Sequence, residues 1–424
     1  MNKKVREITK KLLDPSLDDK LRKIHPDARK AFHELPIEKK QSSLDAKTFI
    51  IYPFEVNFNQ AKSLEEKEQD SIDLIKEHLK EFDHVFVSTS HGFDSVVLCH
   101  LIMRAWRELQ SEGIIKSKPD FWLNNTLNIY KEERAYWNQI NKFLDIEDTF
   151  TEFKPPFDSK GNRYTVWSVA EEVGHLPSFR VLHGRGQAWK KRFGDKVVAH
   201  VGSKGDIPEC CDILKKASIK EHLKQGMKNY LNDPTSKKYD CHFVGTRAEE
   251  SRQRRISVMQ RCRSYTIKTR WPYPIRACTP LSYWLMKDTM AYYEKYKIPK
   301  NPTYQIHNML RMGCASCPAH KNWEIRLARD PTHEGFGMLN KNLEILGKTE
   351  PERLEKSLKT LKKYLKSTKS ENELNESTRV RVIDMIKKFE NSKVITETLN
   401  SPIFIIDMEK KIDVTNLQKE EKVK

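Results

Sequence analysis

The hydrophobic pattern changes period sharply near residue 90. Val85, Phe86 and Val87 form a short apolar run rich in β-formers; Val96, Val97, Leu98, Leu101, Ile102, Met103 and Trp106 then leave almost no polar face. That pattern predicts a buried strand, a tight turn and a helix packed on a sheet. The same alternation recurs along the chain. Asp120–Thr126 reads as a second strand, followed by a helix running through Tyr136 and Trp137. Phe150–Phe153 reads as a short strand, and Tyr239–Gly245 as an apolar strand ending in a glycine turn. Upstream, Ser63–Phe82 has the form of a capped helix, with Ser63 at its start, Glu65 and Glu66 in the first turn, and an apolar face of Ile72, Leu74, Ile75, Leu79 and Phe82. Thr48–Tyr52 is a further candidate strand or buried segment.

Strands alternating with helices predict an α/β fold: an open, mostly parallel sheet of about five strands with helices on both faces and ligands at the carboxyl ends of its strands. Beyond about residue 345 Lys and Glu dominate, and Leu354, Leu358, Leu361 and Leu365 recur at helical spacing. The expected organisation is an N-terminal helical extension over 1–62, the α/β domain over 63–345, and a C-terminal helical appendage over 346–424 whose last residues, Leu417–Lys424, fray.

Charge adds a partner class. The 77 basic against 59 acidic residues give a net charge of +18, which suits a polyanion such as DNA or RNA; solvated, lysine-rich helix faces are the other reading. No apolar run approaches the ~18 residues a bilayer span needs, and no apolar signal core follows Met1-Asn-Lys-Lys-Val-Arg6. A soluble, cytoplasmic protein with no membrane partner is expected. In that compartment the eight cysteines read as thiols or metal ligands rather than disulfides.

Three constellations carry chemistry. The turn Ser90-His91-Gly92-Phe93-Asp94-Ser95 feeds a helix N-terminus, where backbone N–H groups and the helix dipole favour an anion. Gly92 lets the backbone approach that anion, and Ser90 and Ser95 offer hydroxyls. Gly245-Thr-Arg-Ala-Glu-Glu-Ser-Arg-Gln-Arg254 follows a strand end directly; its arginines have the forked donors that suit phosphate or sulfate. Cys210-Cys211 and Cys314-Ala-Ser-Cys317 together supply four thiolates for zinc or an iron–sulfur cluster, and unligated thiols remain a third reading. Cys99, Cys241 and Cys278 sit in apolar surroundings and read as core thiols; Cys262 has no clear role. A long basic connection over 157–205, with Arg180, His183, Arg185, Lys190, Lys191 and Arg192, is either a cover for the site or a solvated loop.

These motifs, in this order, resemble the PAPS reductase family of the adenine nucleotide α-hydrolase-like superfamily. Its loop pattern Ser-x-Gly-x-Asp-Ser matches Ser90, Gly92, Asp94 and Ser95, and its Gly-x-Arg-x-x-Glu-Ser-x-x-Arg matches Gly245, Arg247, Glu250, Ser251 and Arg254. The stretch from Thr279-Pro-Leu-Ser-Tyr-Trp284 through Asp288 to Ile298-Pro-Lys-Asn-Pro-Thr-Tyr304 also follows the family order, with structural roles for Trp284 and Asp288. The resemblance covers roughly 80–135 and 205–320. Two departures stand out: His91 and Phe93 replace the Gly and Lys of many ATP-cleaving members, and Asn124-Asn125-Thr126 replaces an Asp-Thr-Gly-like turn.

What the resemblance implies is specific. Ser90, Gly92, Asp94, Ser95, Gly245, Arg247, Glu250, Ser251 and Arg254 would bind an adenine nucleotide, ATP or else APS or PAPS. Asp94, Arg247 and Arg254 would act in catalysis, with Mg2+ as a helper ion. Cys210, Cys211, Cys314 and Cys317 match the [4Fe-4S] pattern of assimilatory APS reductases, with zinc as the alternative. No Cys follows Cys317, whereas sulfonucleotide reductases attack with a Cys in a terminal Glu-Cys-Gly-x-His motif. The expected function is therefore ATP pyrophosphatase or adenylylation chemistry supporting sulfur transfer, as in the ATP-pyrophosphatase component of DNA phosphorothioation systems, with a cysteine desulfurase as sulfur donor. The alternatives are an APS or PAPS reductase using an external thiol, and a non-catalytic nucleotide or nucleic-acid binder.

Overall fold

The structure, a computed structural model, describes residues 53–391 except 116, 159, 177–208, 262, 268–270, 308, 310–311, 319–321, 331, 368–369 and 371–372. Thr48–Tyr52, the basic residues from Arg180 to Arg192, Cys262 and the tail Leu417–Lys424 lie outside the described residues. In chain order come α1 (Pro53–Ala61), α2 (Leu64–Glu81), β1 (Val85–Thr89), α3 (Phe93–Ser111), β2 (Asp120–Asn124), α4 (Lys131–Leu144), β3 (Phe150–Phe153), α5 (Val166–Val173), α6 (Ala217–Asn232), β4 (Cys241–Val244), α7 (Arg252–Arg261), β5 (Ser264–Ile267), β6 (Ile275–Cys278), α8 (Met286–Tyr296), α9 (Trp323–Ala328), α10 (His333–Thr349), α11 (Pro351–Leu365) and α12 (Glu376–Asn391).

The chain forms two compact units. The first takes 53–125, 131–155 and 215–302 and contains one six-stranded sheet in the order β3-β2-β1-β4-β6-β5. Every pair is parallel except β5–β6. The sequence shows four of these strands in place; β5 and β6, Ser-Tyr-Thr-Ile and Ile-Arg-Ala-Cys, form the antiparallel pair at one end of the sheet and lack the apolar run that marks β1 and β4. From β1 the chain steps outward to β2 and β3, then returns to place β4 on the other flank of β1. The order reverses there, and a reversal between two parallel strands leaves a crevice outside their carboxyl ends.

The centre of the sheet is held by aromatic stacking and burial. Phe86 stacks on Trp122 at 4.1 Å and on His242 at 4.3 Å between ring centroids. On α3, Val96 to Met103 are buried apart from His100, which accounts for the missing polar face in the sequence. The capping box of α2 forms as expected: Ser63 Oγ accepts from Glu66 N at 3.2 Å and Glu66 Oε2 from Ser63 N at 2.8 Å. Trp284 and Asp288 are structural. Trp284 Nε1 donates to Ser71 Oγ at 3.0 Å, and Asp288 pairs with the buried Lys67 at 2.6 Å, an ion pair whose disruption costs about 3–5 kcal/mol.

The second unit takes 126–130, the described part of 156–214, and 303–391. Its core is helical: Leu339, Leu343 and Leu346 of α10 pack with Leu354, Leu358, Leu361 and Leu365 of α11 and with Val382 and Ile386 of α12. The expected boundary at 345/346 falls inside α10, a helix whose apolar face belongs to the same core as the leucine stripe.

One buried carboxyl in the first unit gives a pH prediction. Glu133 of α4 is 3 % exposed; burial pushes it up to about 8, with the charge of Lys215 pulling the other way. In the unfolded chain the same group ionises at its ordinary 4.5. Between those values the unfolded state sheds a proton that the folded state keeps, so stability falls as pH rises through the window. Glu133→Gln is expected to stabilise the protein at pH 8, on the order of a few kcal/mol, and to have little effect at pH 4. Urea unfolding at the two pH values checks this; equal differences at both would refute it.

Candidate active site at the strand switch point

The turn after β1 and the segment after β4 meet in the first unit. A Cβ added to Gly245 would sit 3.3 Å from the carbonyl oxygen of Asp94 and 3.5 Å from Ser95 Cα. Glycine there lets the end of β4 lie against the first turn of α3. The two motifs, about 150 residues apart in the chain, thus share the carboxyl ends of adjacent parallel strands, as their placement predicts.

Within the turn, Ser95 Oγ donates to the Gly92 carbonyl at 3.0 Å and accepts from Ser90 N at 3.2 Å. Gly92 caps α3 with no side-chain hydrogen bond, and Ser90 is exposed. An N-terminus without a side-chain cap is the form that accepts an anion. The left-handed position of the turn is His91, at φ 50°, and not Gly92, at φ −80°. The His91 ring is fully buried against Phe150, 5.5 Å between centroids. Burial lowers its pKa to about 3, so it is neutral and offers no cation to a phosphate. Phe93, at the family's lysine position, stands edge-on to Tyr293 of α8 at 5.3 Å. Both departures in the loop are thus packing residues.

The arginines divide their work. Arg247 is 3 % exposed. Its Nε lies 2.7 Å from Asp94 Oδ1, close for an ion pair though not aligned as a hydrogen bond. Its Nη1 pairs with Glu249, which also accepts from Met286 N at 2.6 Å, and its backbone N donates to Glu250 Oε1 at 3.0 Å. Thr289 Oγ1 adds a hydrogen bond to Asp94 at 3.1 Å. Burial pushes Asp94 above the usual carboxylate range, and Arg247 opposes that push. Arg254 differs: its side chain is 38 % exposed, with Nε 3.3 Å from Glu250 Oε2 and Nη1 donating to Thr246 Oγ1 at 2.9 Å. Ser251 Oγ accepts from Arg254 N at 3.2 Å and caps α7. Arg254 is therefore the arginine open to an incoming anion, whereas Arg247 holds Asp94. The sequence reading missed Thr246, Glu249 and Thr289; hydroxyl and carboxyl partners of this kind carry no spacing signal.

A cavity of about 450 Å³ lies elsewhere, at the amino ends of β1 and β2 beside Val85, Asp120 and Lys118, and has no part in this crevice.

The four candidate ligand cysteines all fall in the second unit. Cys210 and Cys211 occupy a helical turn, Glu209–Cys211, continued by a π-helical stretch over Asp212–Lys216. The Cys210 thiol is pushed up first by hydrogen bonding with Cys211, then by burial, then by the charges of Cys211, Cys314 and Cys317. Among the described residues no three His, Cys, Asp or Glu side chains are drawn together at metal-ligand spacing. In donor chemistry the set fits: four thiols from two segments suit a cubane or tetrahedral zinc. Cys99, Cys241 and Cys278 are buried with thiols pushed up by burial, as core thiols should be.

The Cys314–Cys317 turn is held by side chains around it. Cys317 N donates to the Cys314 carbonyl at 3.1 Å. Ala315 N donates to the Asn128 carbonyl and Ser316 N to Asn128 Oδ1, both at 2.8 Å. Arg326 donates to the Ala315 carbonyl, and Asn342 Nδ2 to the Ser316 carbonyl at 2.8 Å. Beneath lies a buried group in which Asp330 Oδ2 accepts from Tyr130 at 2.6 Å and lies 2.9 Å from His307 Nδ1.

A switch-point crevice, a helix N-terminus without a side-chain cap and a half-exposed arginine come together in an α/β unit with a mostly parallel sheet. The chain belongs to the phosphoadenosine phosphosulfate reductase domain family, whose model matches residues 84–320, more than half its length. Similar solved structures include phosphoadenylyl-sulfate (PAPS) reductase from Candida auris in a phosphate complex, 13% identical, covering 57% of this chain and 87% of that one at a TM-score of 0.35. They also include FMN adenylyltransferase from Candida glabrata with FMN and an ATP analogue, 10% identical, covering 59% and 66% at a TM-score of 0.32. Among curated proteins no match is found. No described helix is long and apolar enough to cross a membrane.

Proposed function

We propose that the crevice binds ATP and performs chemistry at its α-phosphate in support of sulfur transfer. The observation that carries this reading is the contact of Gly245 with the first turn of α3, beside the half-exposed Arg254. The phosphates lie on Ser90, Gly92 and Ser95 and the α3 N-terminus. An oxygen of the acceptor attacks the α-phosphorus, the bond to the β-phosphate oxygen breaks, and pyrophosphate leaves with its charge met by Arg254. The acceptor is left adenylylated, and a sulfur nucleophile then displaces AMP. Arg247, Thr289 and Asp94 position the turn, and Asp94 is the residue that would hold a Mg2+ ion, which would help neutralise the phosphates. DNA or RNA as acceptor suits the +18 charge, and a cysteine desulfurase suits the need for a sulfur donor.

Cys210, Cys211, Cys314 and Cys317 hold a [4Fe-4S] cluster in this reading, with zinc as the alternative. Bound there, a cluster would supply electron transfer or a relay for sulfur. The family supports a second reading, reduction of APS or PAPS by an external thiol. Incubation with labelled ATP, APS and PAPS separates them. Pyrophosphate and AMP from ATP are expected; sulfite from APS or PAPS would favour the reductase, and binding without products would leave a nucleotide-binding protein.

A further inference from the structure

Helix α11 divides into two faces. Leu354, Leu358, Leu361 and Leu365 are buried in the helical core of the second unit. On the other side, every exposed residue from 356 to 366 is a lysine: Lys356, Lys359, Lys362, Lys363 and Lys366. Lys356, Lys359, Lys363 and Lys366 follow at intervals of three, four and three residues, so they stand on one face of the helix over about 15 Å. The neighbouring helices treat their lysines differently. On α10, Lys341 lies 3.8 Å from Glu344 and Lys348 lies 3.1 Å from Glu171. On α12, Lys387 lies 3.9 Å from Asp384 and Lys388 lies 3.8 Å from Glu344. Lys362 of α11 pairs with Glu390, but among the described residues no carboxylate pairs with the other four. Like charges one turn apart destabilise a helix. The helix dipole offsets that only in the last turn, and Lys356 and Lys359 lie before it.

We propose that this lysine face of α11 is a docking surface for duplex DNA, held through its phosphates without regard to sequence. The proposal rests on the reading of a nucleic-acid acceptor above and gives that partner a place in the second unit. An ammonium group meets a phosphate oxygen as a point charge, and phosphate contacts position a duplex without reading its bases. A single strand needs exposed aromatic side chains on which its bases stack, and a membrane surface needs exposed apolar ones that enter the lipid. The face has neither: its leucines and Tyr364 are buried. Duplex RNA is recognised largely through 2′-hydroxyls, which donate as well as accept, and lysines cannot accept. Duplex DNA, with its bases stacked inside and its phosphates outside, asks for cations alone.

Fluorescence anisotropy of a labelled DNA duplex of mixed sequence, titrated with the full chain at several salt concentrations, tests this. One variant combines Lys356→Gln, Lys359→Gln, Lys363→Gln and Lys366→Gln. It is expected to bind about a hundredfold more weakly at about 0.1 M salt, and to lower the slope of log K against log salt by about three to four. The control combines Lys341→Gln, Lys348→Gln, Lys387→Gln and Lys388→Gln. It removes the same four charges from α10 and α12, where each breaks only a surface pair of little worth, and should keep the parent's affinity and slope. Circular dichroism and thermal unfolding confirm that both variants fold. A parent that binds no duplex at low salt, or an equal loss in both variants, would overturn the proposal. So would tighter binding to duplex RNA or to vesicles of anionic phospholipid. Pyrophosphate release from ATP, measured on the same proteins, keeps the two readings apart. ATP cleavage without DNA affinity would remove the docking surface alone; DNA affinity through α11 without ATP cleavage would remove the nucleotide chemistry alone.

Discussion

Protein purified without oxygen is expected to be brown and to carry about four irons per chain, and Cys314→Ser is expected to abolish the colour. The expectation rests on two pairs of cysteines that fall in one unit although about a hundred residues separate them. A cubane takes one thiolate per iron. Removal of Cys314 leaves three, and with Cys210 and Cys211 both already committed no adjacent thiol replaces it. Cys99 is the control: it is fully buried within α3 in the other unit, and burial raises its thiol to about 12. Cys99→Ser should keep colour and iron. Iron analysis and the visible spectrum of the three proteins decide the matter. A colourless protein with stoichiometric zinc would replace the cluster with a structural zinc site of four cysteines.

Arg247→Ala and Arg254→Ala are expected to fail in opposite ways, although the family motif treats the two arginines alike. Arg247 neutralises Asp94 in a place where burial already disfavours the carboxylate. Its removal leaves a buried acid without its cation, which costs about 3–5 kcal/mol of stability. Arg254 makes a half-exposed pair with Glu250, a kind of contact worth about 0–1 kcal/mol. Arg254→Ala should therefore unfold in urea close to the parent. It loses a charge-assisted hydrogen bond to the ligand, worth about 1.5–3 kcal/mol, so ATP should bind roughly tenfold to a hundredfold more weakly. Calorimetric titration with ATP and urea unfolding measure both. Parent-like ATP affinity in Arg254→Ala would remove the arginine from the site.

The placement of the crevice was legible in the sequence because it depends on local signals. A β-rich run, a glycine and an apolar helix define β1 and α3 without reference to the rest of the chain, and Tyr239–Gly245 defines β4 in the same way. The leucine stripe of α11 was legible for the same reason: Leu354, Leu358, Leu361 and Leu365 are all buried. Strands β5 and β6 were not, since neither Ser264–Ile267 nor Ile275–Cys278 carries the apolar run that marks β1 and β4. The buried Lys67 paired with Asp288 was also hidden, because its partner is 221 residues away.

By itself the sequence determined the α/β class, the positions of four strands along the chain and the two motifs at strand ends, because each rests on residues close in the chain. Only the tertiary structure decided what those residues do. It buried His91 and Phe93 as packing groups, set Arg247 against Asp94 and left Arg254 half in solvent. It also gathered both cysteine pairs into one unit and closed Asn128 over the turn between Cys314 and Cys317. The physical reason is common to all of these. Burial, pairing and the choice of an arginine's partner depend on groups brought together from distant parts of the chain, and spacing along the sequence carries no record of them.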